Sequence, residues 1–382
     1  VFEHQYQTLN TKMNAMKDQP LLQPYKMGHL QLKNRMVMAP MTRSRAVNPE
    51  NAADELTAQY YEQRATAGLI ITEGTYVSRD AIGYINVPGI YTDAQVTGWK
   101  LVTDTVHAKG GKIFAQIWHV GRLSHPDLLD GELPLAPSAL NPFAKAYTPT
   151  GFKDTVVPKA MTTEDIKRTI EDFRNAAINA DKAGFDGVEL HAANGYLFHQ
   201  FFNKHSNNRT DEYGGSIENR ARFLFEVLDA LKGAIDYSRV GVRLNPSLHN
   251  AQGMMLDEET IPTFEYIVKR LNDYGLAYVH LTEPFTPVDD IPYAVTKVAK
   301  HFRPLYNGTL IINKGFTRES GNEVIEHGDA DLVAYGVPFL ANPDLVERFE
   351  KGAPLNAPDP NTFYVPGEKG YIDYPTLAEV QA

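Results

Sequence analysis

The sequence predicts an α/β protein, a closed (β/α)8 barrel, and three observations carry that prediction. Eight short apolar runs of strand length alternate with segments of helical periodicity. No linker splits the chain into two cores, and no internal repeat of solenoid length is present. Finally, Thr42, Gly74, Gln116, His191, Arg243, Gly315 and Gly336 all stand at or just beyond the carboxyl ends of the runs, where a barrel gathers them into one ring. A doubly wound open sheet is the competing architecture. No two of the 28 glycines stand two apart, so the GxGxxG turn expected of a dinucleotide-binding open sheet is absent.

In chain order, residues 1–18 are polar, lack the apolar segment of a signal peptide, and are expected to be a flexible extension. Residues 19–382 are expected to form one domain. Tyr25 to Leu32, with Gly28 at its centre, suits a small hairpin lid. The first barrel strand lies within Asn34 to Ala39 and ends in the proline turn Pro40-Met41-Thr42. A helix over Leu56 to Thr66 leads to the strand Leu69 to Gly74. In the next helix, from Asp93, Val96, Trp99, Val102 and Val106 share one face and Gly110 stops it. Strand three runs from Lys112 to His119.

From Val120 to Lys159 the rhythm breaks into a stretch rich in Pro, Gly and Asn, too long for an ordinary connection and expected to lie over a functional face. Alternation then resumes with the helix Glu164 to Ala183 and the strand ending in His191. Further strands are expected at Val240 to Leu244, Tyr278 to Leu281, Leu310 to Asn313 and Leu332 to Tyr335. Helices separate or follow them at Arg220 to Leu231, Thr260 to Tyr274, Ile291 to His301, Arg318 to His327 and Pro343 to Lys351.

Composition narrows the function. With 43% hydrophobic and 22% charged residues the chain is globular, and a formal net charge of −10 without a dense basic block argues against nucleic-acid binding. The absence of cysteine excludes disulfides, thiolate metal sites and a cysteine nucleophile, leaving redox chemistry to a bound organic cofactor. No apolar run reaches membrane-spanning length, so the expected compartment is the cytoplasm and no membrane partner is expected. The twelve histidines lack ligand spacing such as HExxH, and no catalytic metal is expected.

The strand Val188 to Leu190 ends in His191 and then turns, throwing His191, Asn194 and Tyr196 beyond the strand end toward one small space. Imidazole and carboxamide supply hydrogen-bond donors for a carbonyl-type oxygen, and a phenol can deliver a proton. A histidine at a strand end can equally well just cap backbone groups.

Several stretches are familiar. Met38 to Arg43, Ile71 to Thr75, Gln116 to Arg122, His191 to Tyr196, Asn208 to Arg220 and Phe339 to Leu345 resemble, in order, motifs of the old yellow enzyme family of FMN-dependent ene-reductases. The likeness runs from about Leu22 to Tyr374. It implies one FMN at the strand ends, reduced by NADPH or NADH and reoxidised by an activated alkene. On that resemblance Pro40, Met41, Thr42 and Gly74 line the flavin, while Gln116 and Arg243 contact its pyrimidine side. Read alone, Gln116 and Arg243 are better taken as structural. His191 and Asn194 bind the substrate oxygen, Tyr196 protonates the α-carbon, and Trp118 and Tyr364 shape the pocket, with Phe285 a weaker candidate.

The chain departs from the family at the end of strand eight. Gly336-Val337-Pro338 stands where the family usually has Gly-Arg, whose guanidinium grips the FMN phosphate. Backbone N–H groups of Gly315, Gly336 and Val337 can still cradle a phosphate, and Lys314 can either supply the missing charge or simply be solvated. The segment Asn208 to Arg220 is expected to fix the loop beyond Tyr196. The resemblance leaves monomer or homodimer open, as it does the alkene. A flavin-binding redox sensor or scaffold is the alternative outside the enzymes.

Overall fold

A computed structural model describes residues 19–381; the expected extension over residues 1–18 lies outside them. Eight parallel strands close into a barrel: β1 (Met36–Met38), β2 (Leu69–Tyr76), β3 (Ile113–Trp118), β4 (Gly187–Ala192), β5 (Val240–Leu244), β6 (Tyr278–Thr282), β7 (Leu310–Asn313) and β8 (Leu332–Tyr335). Each hydrogen-bonds to its sequence neighbours, and β8 returns to β1 through Val333 opposite Met36. Closure leaves no free edge, so every strand is buried along its length.

Helices follow the strands: α1 (Glu55–Gln63), α2 (Asp93–Ala108), α3 (Thr163–Lys182), α4 (Ile217–Leu231), α5 (Thr260–Leu271), α6 (Val298–Phe302), α7 (Arg318–Glu326) and α8 (Leu345–Lys351). Thr92 and Thr162 open α2 and α3 with reciprocal capping boxes, satisfying backbone donors the first turn leaves free. Alternation along the strands sorts the apolar residues into two cores. Val188, Leu190, Val242, Val279 and Ile312 face out under the helices, with Phe173, Leu224 and Ile267 packed over them. Val37, Leu69, Phe114, Tyr278 and Leu332 fill the interior near the strand starts.

That interior core continues into the hairpin of Tyr25–Met27 and Leu30–Leu32, whose Met27, Leu30 and Leu32 pack against it. Tyr25 Oη lies 3.0 Å from Thr309 Oγ1, just before β7, and Gly28 lies against Ser238, just before β5. The hairpin therefore closes the floor of the barrel, and the carboxyl-end mouth stays free for chemistry.

The segments after β6 and β8 are among those that differ from the sequence reading. The helix expected over Ile291 to His301 is only Val298–Phe302. Ser247 Oγ bonds both the carbonyl and the N–H of Val295, holding the chain out of helix, and the Glu283 carboxylate accepts from the Val298 and Ala299 N–H groups, starting the helix there. After β8, a further short helix, Val337–Ala341, precedes α8.

Candidate active site

The mouth is built first from β4. His191 lies opposite Arg243 of β5, and Arg243 opposite His280 of β6, so three nitrogen-bearing side chains stand side by side. Two residues before His191, on the same inward face, Glu189 is fully buried. Gln116 Nε2 donates to Glu189 Oε1 at 2.7 Å, and His280 Nδ1 lies 2.8 Å from Glu189 Oε2. Burial alone would raise the Glu189 pKa, but His280, Arg243 and Gln116 together hold it below the usual carboxylate range. Burial lowers His280 despite Glu189, so a neutral imidazole donates to a carboxylate.

Arg243 Nη2 donates to Asn313 Oδ1 at 3.0 Å, and Asn313 in turn donates to the Ala334 carbonyl, tying β5 through β8 together. Arg243 Nε and His191 Nδ1 are buried with no partner. Burial, reinforced by Arg243 and His280, pushes His191 well below the ordinary imidazole value, so it is a neutral hydrogen-bonding group at physiological pH.

Beyond β4 the chain reverses through Asn194 (φ 57°) and Gly195 (φ 80°), and this left-handed pair swings Tyr196 back over the mouth. Its ring meets His191 edge-on at 5.0 Å and Trp118 edge-on at 4.7 Å. Burial, with Tyr84 adding, keeps the Tyr196 phenol protonated far above its ordinary range. Asn194 is half-buried and its Oδ1 accepts from Asn245 Nδ2 at 2.8 Å. Trp118 stacks on Tyr76 and Tyr84 at 5.2 and 5.6 Å. A Cβ on Gly74 would lie 2.3 Å from the Trp118 ring, so that glycine is required by packing as well as by its place at the mouth.

Over this floor opens a cavity of about 460 Å³, walled by Thr42, Tyr84, Tyr196 and Gln252, by Tyr147 and Phe152 from the long insertion, and by Tyr364 from the tail. The insertion forms a hairpin of Lys145–Thr148 and Gly151–Asp154 that carries Tyr147 and Phe152. The tail is held by the loop after β1. Arg43 Nη2 donates to the Gly370 carbonyl at 2.6 Å and Arg45 Nη2 to that of Thr362 at 2.8 Å, which places Tyr364 at the cavity.

On the opposite side of the mouth, Met41 Sδ approaches Gly336, joining the ends of β1 and β8. Lys314 (φ 87°) and Gly315 (φ 82°) turn the chain beyond β7, and the space beside Gly315 is open. Lys314 is exposed, with Nζ 5.2 Å above the Phe285 ring. The Asn208 to Arg220 segment is structural in its contacts. Arg209 pairs with Asp211, Ser216 caps α4, and Arg220 Nε donates to the Phe202 carbonyl behind Tyr196. Among the described residues no group of three His, Asp or Glu side chains could hold a metal ion, and no helix is long and apolar enough to cross a membrane.

The model of the NADH:flavin oxidoreductase / NADH oxidase family matches residues 20–356. The chain belongs to the old yellow enzyme family. 12-oxophytodienoate reductase 1 of Oryza sativa subsp. japonica is 45% identical over 375 residues, covering 97% of this chain and 96% of the relative. Morphinone reductase superposes with a TM-score of 0.89 at 44% identity, covering 96% and 99% of the two chains. The old yellow enzyme homologue of Zymomonas mobilis gives 0.88 at 39%, covering 94% and 99%. The chain is thus an FMN-dependent oxidoreductase.

The mouth fits that cofactor. A flavin's pyrimidine edge alternates one N–H with carbonyl acceptors. Gln116 has its Nε2 bound to Glu189, leaving Oε1 to accept, beside the unpartnered Arg243 Nε donor. Motif matching missed Glu189, His280, Tyr84, Asn245, Tyr147 and Phe152. Of these only Glu189 carried a local signal, its place two residues before His191 on an inward face.

Proposed function

We propose that this old yellow enzyme family member reduces the C=C bond of α,β-unsaturated carbonyl or nitro compounds at the expense of NADPH or NADH. The observation that supports it most is the packing of His191 and Trp118 against Tyr196 beneath one cavity at the barrel's carboxyl end. The names of the relatives agree with it, since 12-oxophytodienoate and morphinone are oxo compounds, and morphinone reductase has been captured in complex with tetrahydroNAD.

Pro40, Met41, Thr42, Gly74, Gln116 and Arg243 would hold the FMN ring, and Lys314 with the backbone of Gly315, Gly336 and Val337 its phosphate. When bound, FMN would supply the hydride-transfer chemistry that links nicotinamide oxidation to reduction at the alkene β-carbon. His191 and Asn194 hold the substrate oxygen. Negative charge grows on that oxygen as the alkene is reduced, so donors already aimed there favour the transition state over the bound substrate. Tyr196 transfers its Oη proton to the α-carbon, completing the addition. Trp118, Tyr364 and the hairpin carrying Tyr147 shape the cavity and exclude water. Steady-state NADPH consumption with and without cyclohexenone tests the proposal: the enzyme accelerates with the alkene, whereas a flavin-binding sensor or scaffold gains no turnover from it.

A further inference from the structure

Asn245 directly follows β5 and is fully buried. Ala192 of β4 pairs with Leu244, so Asn245 comes level with Ala193, against the turn that holds Asn194 in its left-handed conformation. There its Nδ2 donates to Asn194 Oδ1 at 2.8 Å, while its own Oδ1 has no partner. Packing does not explain an amide here. A leucine of similar size would fill the space without stranding a buried acceptor, which is a cost to folding.

A carboxamide has two ends of nearly equal shape and opposite hydrogen-bonding sense. A freely turning Asn194 would offer the substrate oxygen a donor in one orientation and a repelling acceptor in the other. We infer that Asn245 is a positioning residue which, by occupying Asn194 Oδ1, fixes the amide so that its Nδ2 donor is the end left for the substrate oxygen. This rests on the reading above that Asn194, with His191, binds that oxygen.

The test uses the FMN-loaded enzyme, with phenol binding followed by absorbance and with KM and kcat measured for the neutral substrate cyclohexenone. Asn245→Asp presents an acceptor to Asn194 and turns its Oδ1 toward the ligand, so phenol affinity falls and the cyclohexenone KM rises, each by about ten- to a hundredfold. Asn245→Leu fills the space without a donor and leaves Asn194 free to turn, so phenol affinity falls by a smaller factor, about three- to tenfold. The double variant Asn194→Ala/Asn245→Asp is no worse than Asn194→Ala alone, because the aspartate acts only through Asn194.

If Asn194→Ala loses phenol while Asn245→Asp binds it normally, the role of Asn245 is overturned and the oxygen site stands. Losses in the double variant beyond those of Asn194→Ala show the aspartate charge acting directly, and also overturn it. No effect of Asn194→Ala removes the oxygen site and Asn245's role together. Should the aspartate variant fail to load FMN, Asn245→Leu carries the same question, and phenol affinity equal to the parent's overturns the assignment.

Discussion

The hydroxyls of Tyr84 and Tyr196 lie 3.2 Å apart, and either can donate to the other. Tyr84 borders both the 460 Å³ cavity and a second cleft of about 630 Å³ lined by Glu50, Arg79, Asp127 and Asp130. A phenol that gives up its proton in each turnover needs it back, and Tyr84, whose hydroxyl lies beside it, is a residue that also borders that cleft. Tyr196→Phe should therefore slow alkene reduction by about 10²- to 10⁴-fold, the range of a lost general acid, and leave flavin reduction by NADPH nearly intact. Tyr84→Phe should leave a single round of alkene reduction nearly intact and slow steady-state turnover by roughly tenfold, because only the return of the proton is impaired. Stopped-flow measurement of the two half-reactions, beside steady-state turnover, checks both. Equal slowing of flavin reduction would mean that the phenols shape the site without donating the proton.

Gly74 and Trp118 are coupled by contact. An alanine at 74 places its Cβ 2.3 Å from Trp118 Cε3, and the indole is already confined by Tyr76, Tyr84 and Tyr196. Gly74→Ala is expected to destabilise the protein by about 1–3 kcal/mol, the usual cost of overfilling a packed core. Alkene turnover should fall with it, because the shifted indole disturbs Tyr196. Thermal melting with a parallel cyclohexenone assay tests this, and an unchanged melting temperature would show that the ring yields at no cost.

The barrel was readable because each strand is a short apolar run with its polar residue at the end, and closure converts eight separate ends into one ring. His191, Asn194 and Tyr196 were readable together because they lie within a single strand-turn segment. Tyr84, Tyr147 and Asn245 were not, since they reach the site from the loop after β2, the insertion and the end of β5, and only tertiary closure makes them neighbours. The helix expected from Ile291 failed for a similar reason. Its start is set by Ser247 and Glu283, which are distant in sequence and bond the segment directly. For Lys314, local pattern placed the residue beyond β7 without showing where its charge points.

Buried histidines make stability depend on pH. Burial lowers His119 and His199 to about 3, far below the value near 6.5 of an unfolded chain. Between those values the unfolded state binds more protons, so this stability is present above about pH 6.5 and is lost as pH falls toward 3. Glu73 opposes it. Burial raises its carboxyl to about 7, so the folded state is the more protonated one above about pH 4.5, and that contribution is lost as pH rises through 7. His191 and His280 are depressed in the same way, and these four histidines outweigh raised carboxyls such as Glu73 and Asp172, so urea midpoints should fall on going from pH 6.5 to 5. Glu73→Gln removes one opposing group and should steepen that fall by up to about 1.4 kcal/mol per pH unit. A slope identical to the parent's would mean that Glu73 titrates normally.

Lys314, proposed above to meet the FMN phosphate, stands beyond β7 in a chain whose Gly336-Val337 turn after β8 carries no side-chain charge. Its left-handed backbone, φ 87°, is one that non-glycine residues seldom adopt, so a lysine there is held against local preference. The ammonium rests over Phe285, exposed, beside the open space at Gly315. One lysine contact on a solvent-facing phosphate is a screened interaction, so Lys314→Ala should weaken FMN binding by roughly three- to tenfold at low salt. The difference should shrink as salt is added, because the phosphate charge is what the lysine recognises. Riboflavin, which lacks the phosphate, should bind the parent and the variant equally. Fluorescence titration of the apoprotein with FMN and with riboflavin reads both quantities, and identical FMN dissociation constants at low salt would leave the lysine as a solvated side chain.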